Sequence, residues 1–292
     1  MRSNIVKNLN LIIDKIGVKK SDNIYLGLDL MKLSLNLGLK NFTGEVIVEI
    51  ILNEFLKKIG KNGSLVIPVF NFDCVKNKYF DRKYSEGQSG ALGNFLLKKY
   101  YKNRSKHPMY SFLFFGKNKE KYINKEYLHA TGQDSNFNIF FKNNYKMVTL
   151  GHHYNTSFTM IHFLEKIANI NYRFDKKFNV KYININKKKT NKYFYFFARK
   201  KNICKYSAIT KKCDLIFKKK KLFNFFKFKK LICFNLKLNE SCNLILNDLK
   251  KNTFQLVKYI GKNNLNSRQV LNQYNTSELE KSYFKKKNFK SF

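Results

Sequence analysis

Apolar side chains recur at Ile5, Leu9, Ile12, Ile13 and Ile16. That is the spacing of a helix with one buried face, so residues 4–17 are read as helical. "NIYLGLDL" (23–30) loses the period and reads as a strand running into a loop. Thr43 stands where an N-cap is needed for "GEVIVEIILNEFLKKIG". The apolar face of that helix carries Val48, Ile51, Leu52, Phe55 and Ile59. Glu45 lies in its first turn, Lys57 and Lys58 in its last, and Gly60 after it, as the helix dipole and C-terminal geometry favour. "SLVIPVFNF" (64–72) follows as a buried strand, completing a strand–helix–strand unit. "GQSGALGNFLLKKYY" (87–101) is a Gly-Ser turn opening a helix. "YSFLFFG" (110–116) and "KMVTLG" (146–151) are further strands, and 159–169 is a short helix. "FNVKYINI" and "KYFYFFARK" alternate as an antiparallel hairpin does. For the Lys/Phe-rich run 211–230 two readings stand: a basic amphipathic helix or loop, and a disordered linker, with the phenylalanines favouring packing.

The predicted fold class is α/β, a single large domain with a mixed central β-sheet flanked by helices. Its expected extent is 1–262, and residues 263–292 are expected to be a polar C-terminal tail that frays. With 292 residues and 43% hydrophobic content, the chain can bury a substantial core.

Charge changes the picture more. Lys and Arg number 58 against 19 Asp and Glu, a formal +39. Such an excess points to a polyanionic partner: nucleic acid, an anionic membrane surface or a phosphorylated small molecule. The excess is mostly lysine, in a chain rich in Asn, Ile, Phe and Tyr with 13 Gly, 2 Pro and no Trp. These are the marks of A/T-rich codons, so much of the charge is attributed to coding bias. The 5 cysteines have no C-x-x-C spacing and no His cluster, which reads as reduced thiols with no metal site. No uncharged apolar run reaches the roughly 18 residues of a membrane span, and the N-terminal stretch lacks the marks of a signal peptide. The expected location is the cytoplasm, with no membrane partner.

Three stretches carry candidate chemistry. In "RSKHPMYS" (104–111), Arg104, His107 and Ser111 have the chemistry to contact a phosphate or a carbonyl oxygen. An ordinary turn entering the next strand is the competing reading. In "SEGQSGALG" (85–93), backbone N–H groups near Ser89 and Gly90 can face an anion at a helix start, although the spacing matches neither a P-loop nor a dinucleotide fingerprint. In "TMIHFLEKIANINYRFDKKF" (159–178), His162 and Glu165 at i, i+3 share a helix face. Neither a zinc helix nor a serine-hydrolase elbow is present. What remains is a general base, set against an imidazole that merely packs. His152 and His153 carry the same two readings.

Taken in order, these blocks resemble the aminoglycoside 3-N-acetyltransferase family, and within it the branch found among surface-polysaccharide genes. Asp29-Leu30, Pro68–Asn71, Arg104–Pro108, then Thr159, His162 and Glu165, and finally Tyr172–Lys176 match that branch's motifs at the expected intervals. The likeness is good over about 22–185 and weaker beyond. Two departures stand out: Gly27-Leu28 replaces a His/Ser-Ser pair, and Gln133 precedes Asp134-Ser135 where Phe-Gly is usual.

The resemblance implies an enzyme that uses acetyl-coenzyme A to acetylate the amine of an amino sugar. His162 is the expected base, with Glu165 or Asp175 orienting or charging its ring. Asp29, Ser89, Gly90, Arg104, His107 and Ser111 are the expected cofactor-binding group, and the Ser111 hydroxyl or the Ser89-Gly90 backbone the expected oxyanion donors. Direct transfer is expected, because no cysteine lies in a matched motif beside His162. The positive charge favours an anionic acceptor, an amino sugar carried on a nucleotide for surface polysaccharide synthesis, over a polycationic aminoglycoside antibiotic. A homodimer is compatible with the sequence. The rival from another class is a non-catalytic basic nucleic-acid-binding protein, supported by "KKKKLFNFFKFKK"; the absence of RRM, KH and zinc motifs argues against it.

Overall fold

Five strands show why the chain folds as layers. In β1 (Asn23–Leu28), Ile24 and Leu26 point to one side and Tyr25 to the other. The same alternation sends Leu65 and Ile67 of β2 (Ser64–Pro68) to the first side and Val66 to the second. It divides β4 (Phe112–Gly116), β5 (Lys146–Leu150) and β10 (Leu231–Lys237) in the same way. A sheet apolar on both faces has to be covered on both, and two hydrophobic cores result.

In this computed structural model the described residues are 2–39, 41–200, 204–251, 253 and 255–261. The central sheet has six strands in the order β4-β2-β1-β5-β10-β9, where β9 is Phe223–Phe228. Strands β2, β1 and β5 are parallel, and β4, β10 and β9 are antiparallel to their neighbours. The chain is therefore a mixed α/β domain, as its sequence predicts.

One face is covered by α1 (Arg2–Lys15), α2 (Leu30–Leu37), α3 (Gly44–Ile59) and α5 (Ala91–Tyr100). Thr43 caps α3 as expected, its Oγ1 accepting from Val46 N. The other face carries α7 (Asn136–Lys142), α8 (Met160–Ile167) and α10 (Leu238–Lys250). The short helices α4 (Asp73–Asn77) and α6 (Lys119–Asn124) lie in connections.

A second sheet packs on this side. Strand β6 (Arg173–Ile183) pairs antiparallel with β7 (Lys189–Arg199), the predicted hairpin, and β3 (Tyr79–Asp81) adds in parallel to β6. A two-stranded ribbon joins β8 (Cys204–Ile209) to β11 (Val257–Gly261).

Two elements differ from the expectation. The stretch after β1 is helix α2, not loop: Asp29 caps it through Lys32 N, and Gly38 ends it in the left-handed conformation at φ 75°. The Lys/Phe-rich run is neither all helix nor a linker. It is helix α9 (Lys211–Lys219) followed by edge strand β9, whose exposed Lys227 and part-exposed phenylalanines suit a sheet margin. The expected tail 263–292 lies outside the described residues. Among the described residues, no helix is long and apolar enough to cross a membrane.

Candidate active site

Helix α8 has two turns, so residues three apart are neighbours on its surface. His162 Nδ1 lies 3.0 Å from Glu165 Oε2. Beyond the helix the chain turns through Asn169, in a left-handed conformation, and enters β6 alongside α8. That return brings two more groups to the same carboxylate. The Tyr172 hydroxyl donates to Oε1 at 2.8 Å, and Arg173 Nε lies 2.6 Å from Oε2. Arg173 Nη1 also donates to Phe197 O at 3.1 Å, which ties the cluster to β7.

Glu165 has 0% exposure. A carboxylate is stable there only because a cation and hydrogen-bond donors replace its lost water. A carboxylate can only accept, so His162 Nδ1 is the protonated nitrogen and the lone pair sits on Nε2. The His162 side chain keeps 23% of its surface exposed. Burial lowers its pKa below the ordinary value, as does the charge of Arg173, while Glu165 works in the opposite direction. The ring is therefore neutral at neutral pH, oriented, and open to a proton from outside.

Asp175 is not part of this cluster. It pairs with Lys166, whose ammonium lies over the Phe197 ring, so the choice between Glu165 and Asp175 as partner to the imidazole falls to Glu165. Arg173, not foreseen from the sequence, is the group that shares the Glu165 carboxylate with the imidazole. The requirement that a buried carboxylate find a cation is the signal that could have pointed to it.

The expected cofactor-binding group separates in space. Arg104 is 0% exposed. Its guanidinium donates to Ser111 Oγ, Ser85 O and Val69 O and stacks on Phe80, and burial holds its pKa down to about 9. The Ser111 hydroxyl is equally buried and donates to Val69 O at 2.6 Å, so it has no face toward a substrate oxyanion. His107 is buried too; its Nδ1 accepts from Tyr110 N, and desolvation pushes its pKa down to about 3. These three residues satisfy backbone groups behind β2 and β4, which corrects their reading as ligand contacts. Ser89 spends its hydroxyl on Pro68 O and Phe70 N, so only its backbone remains for an anion. Gly90 is exposed at the start of α5.

Asp29 sits past the C-terminal end of β1 with 29% of its side chain exposed, capping α2 and pairing with Lys32. Beside it, past β5, His152 Nε2 lies 2.7 Å from Ser157 Oγ. Among the described residues, no group of three His, Cys, Asp or Glu side chains is placed to hold a metal ion.

Comparison with known proteins places this arrangement. The family model described as aminoglycoside 3-N-acetyltransferase matches residues 38–240. The fold resembles the crystal structure of aminoglycoside acetyltransferase AAC(3)-IIb with a TM-score of 0.66 at 14% identity, over 84% of this chain and 96% of that one. It resembles sisomicin-bound AAC-VIa with a TM-score of 0.69 at 13% identity, over 85% and 98%. The YokD protein from Bacillus subtilis gives 0.64 at 16% identity, over 86% and 94%. No curated protein sequence matches the chain. With well over half of its length matched by one family model, the chain belongs to the aminoglycoside 3-N-acetyltransferase family and is an acetyl-CoA-dependent N-acetyltransferase.

Proposed function

We propose that His162 is the general base that removes the proton from an amino-sugar nitrogen as that nitrogen is acetylated, with Glu165 as its positioning partner. The carrying observation is the neutral, part-exposed imidazole held through Nδ1 by a fully buried carboxylate. Acetyl-CoA supplies a thioester carbonyl as the acyl donor. The amine must arrive with its lone pair free, because an ammonium cannot attack. His162 Nε2 accepts the proton as the C–N bond forms, and the resulting imidazolium is stabilised by Glu165 at 3.0 Å; the C–S bond then breaks and coenzyme A leaves as the free thiol, taking that proton from the ring. Arg173 counterbalances that stabilisation, so the ring does not hold the proton permanently.

The preferred acceptor is a cationic amino sugar of the aminoglycoside class. One line supports this reading: AAC-VIa, of similar fold, is described with sisomicin bound, and AAC-IIIb with CoASH. The second reading, a nucleotide-linked amino sugar, is favoured by the net charge of +39.

The test is thiol release from acetyl-CoA with sisomicin and with a panel of nucleotide-linked amino sugars, comparing the wild type with His162→Ala. The expected outcome is turnover of the aminoglycoside that falls by about 10²–10⁴-fold in the variant. Turnover of the nucleotide-linked sugars alone would reverse the acceptor assignment. Undiminished turnover in a folded His162→Ala protein would end the role of the imidazole.

A further inference from the structure

A second pair of reactive side chains lies outside the His162 cluster. Strands β1 and β5 are adjacent and parallel, so their C-terminal ends open on one edge of the sheet, the edge where α/β sheets receive ligands. Past β5 the chain runs through Gly151, His152 and His153 into a tight turn of 3₁₀ helix, Tyr154–Ser157. That turn is held by Thr156 N donating to His153 O and Asn155 N donating to His153 Nδ1. It folds Ser157 back onto His152, with Nε2 and Oγ 2.7 Å apart and both side chains part-buried.

Two residues, one in β1 and one just past its end, frame the pair. Asp29 is anchored beside it by its N–H to Leu150 O, and its negative charge favours a protonated His152 ring. Lys32 and His153 oppose that, and burial opposes it most, so the resting imidazole is neutral. Gly27 is the other residue. A Cβ there would lie 3.0 Å from Ser157 Oγ and 3.6 Å from His152 Nε2, so a side chain at this position would press on the pair. A serine hydroxyl, a neutral imidazole within hydrogen-bond reach and a carboxylate near the imidazole are the three parts of an activated nucleophile.

We propose that Ser157 is a nucleophile activated by His152, with Asp29 supporting the charged ring, and that it hydrolyses the acetyl thioester separately from N-acetylation at His162. The proposal rests on acetyl-CoA being the acyl donor. Ser157 Oγ bonds to the carbonyl carbon and its proton passes to His152. The C–S bond breaks, and the sulfur leaves with that proton as the free thiol of coenzyme A. Water then attacks the acetylated serine and gives a proton to His152. The C–O bond to Ser157 breaks, Oγ recovers the proton, and acetic acid departs. The balance is one thioester and one water in, one thiol and one acid out.

A fluorophosphonate probe, which bonds to activated serines without any need for coenzyme A, separates this proposal from the N-acetylation reading. Peptide mapping should find the probe on Ser157 in the wild type and in His162→Ala. Labelling should vanish in Ser157→Ala and slow by about 10²–10⁴-fold in His152→Gln. Gly27→Ala, by crowding the hydroxyl, should slow it as well. Melting temperatures confirm that each variant folds. In parallel, acetyl-CoA without any amine should release thiol from the wild type and not from Ser157→Ala. Absence of probe on Ser157 in the folded wild type overturns the proposal whatever happens to N-acetylation. So does probe labelling without amine-independent thiol release.

Discussion

Replacing Glu165 by glutamine removes one charge and almost no volume. The amide oxygen can still accept from Tyr172, but the buried Arg173 guanidinium loses the negative charge 2.6 Å from its Nε. Breaking a buried pair from one side costs about 3–5 kcal/mol. At about 2–4 °C per kcal/mol for a chain of this size class, the melting temperature should drop by about 6–20 °C. Arg173→Met takes the cation from the buried carboxylate and should cost a similar amount, while the double variant replaces both charges and should regain most of the loss. Urea unfolding of the four proteins yields the coupling energy, expected at about 3 kcal/mol. The same variants act on chemistry with opposite signs. Glu165 raises the proton affinity of His162 and Arg173 lowers it. The acidic limb of kcat/KM should therefore move to lower pH in Glu165→Gln and to higher pH in Arg173→Met. A cost below about 1 kcal/mol for Glu165→Gln, typical of an exposed pair, would refute the account of the cluster, as would limbs that move in the same direction.

Asp175→Asn should leave kcat within about threefold and stability within about 1 kcal/mol, because the Asp175 carboxylate pairs with Lys166 in a part-exposed contact; steady-state kinetics and a melt check both. Arg104→Met should destabilise by about 3 kcal/mol or more, through the carbonyl oxygens of Val69 and Ser85 that it leaves unsatisfied, with KM for acetyl-CoA unchanged in whatever folded protein remains. His107 gives a pH prediction. Its pKa is about 3 in the fold against an ordinary 6.5, so between those values the unfolded chain binds the extra proton and the folded chain does not. Stability must fall as pH falls, by about 1.4 kcal/mol per unit from this group, reaching about 2 kcal/mol at pH 5. The wild-type stability minus that of His107→Gln, followed by urea unfolding from pH 7 to pH 5, should show this slope, and a flat difference would contradict it.

Much of the scaffold is written locally. The period of α3, its Thr43 cap and the charges at its ends agree with one another, and the structure follows them. Helix α2 was legible as well: Asp29 before it, Leu33 and Leu37 four apart within its eight residues, and Gly38 after it are ordinary helix signals, hidden by the apolar run before them. Strand β9 was harder. Lysine and phenylalanine suit an amphipathic helix and an edge strand about equally, and only the pairing with β10 decides.

In the site, the His162–Glu165 contact follows from helical spacing alone. The misassigned group at Arg104, His107 and Ser111 shows the limit. A sequence tells which side chains can donate or accept, not whether they face a ligand or the polypeptide itself. Here Arg104 and Ser111 turn inward to donate to the Val69 carbonyl, and His107 turns inward to accept from Tyr110 N. Asp175 failed for a related reason. It is two residues from Arg173 on the same strand, and only the position of α8 over the start of β6 selects one over the other.

Among the described residues, the β6–β7 hairpin forms no hydrogen-bonded ladder with the central sheet, and one of its links to α8 runs through the carboxylate that meets His162. If His162 is the base proposed above, catalytic competence and architectural integrity share a single atom group. Substitutions that slacken the hairpin should silence the enzyme before the rest of the molecule melts, and activity loss under mild denaturant becomes a gauge of that one junction.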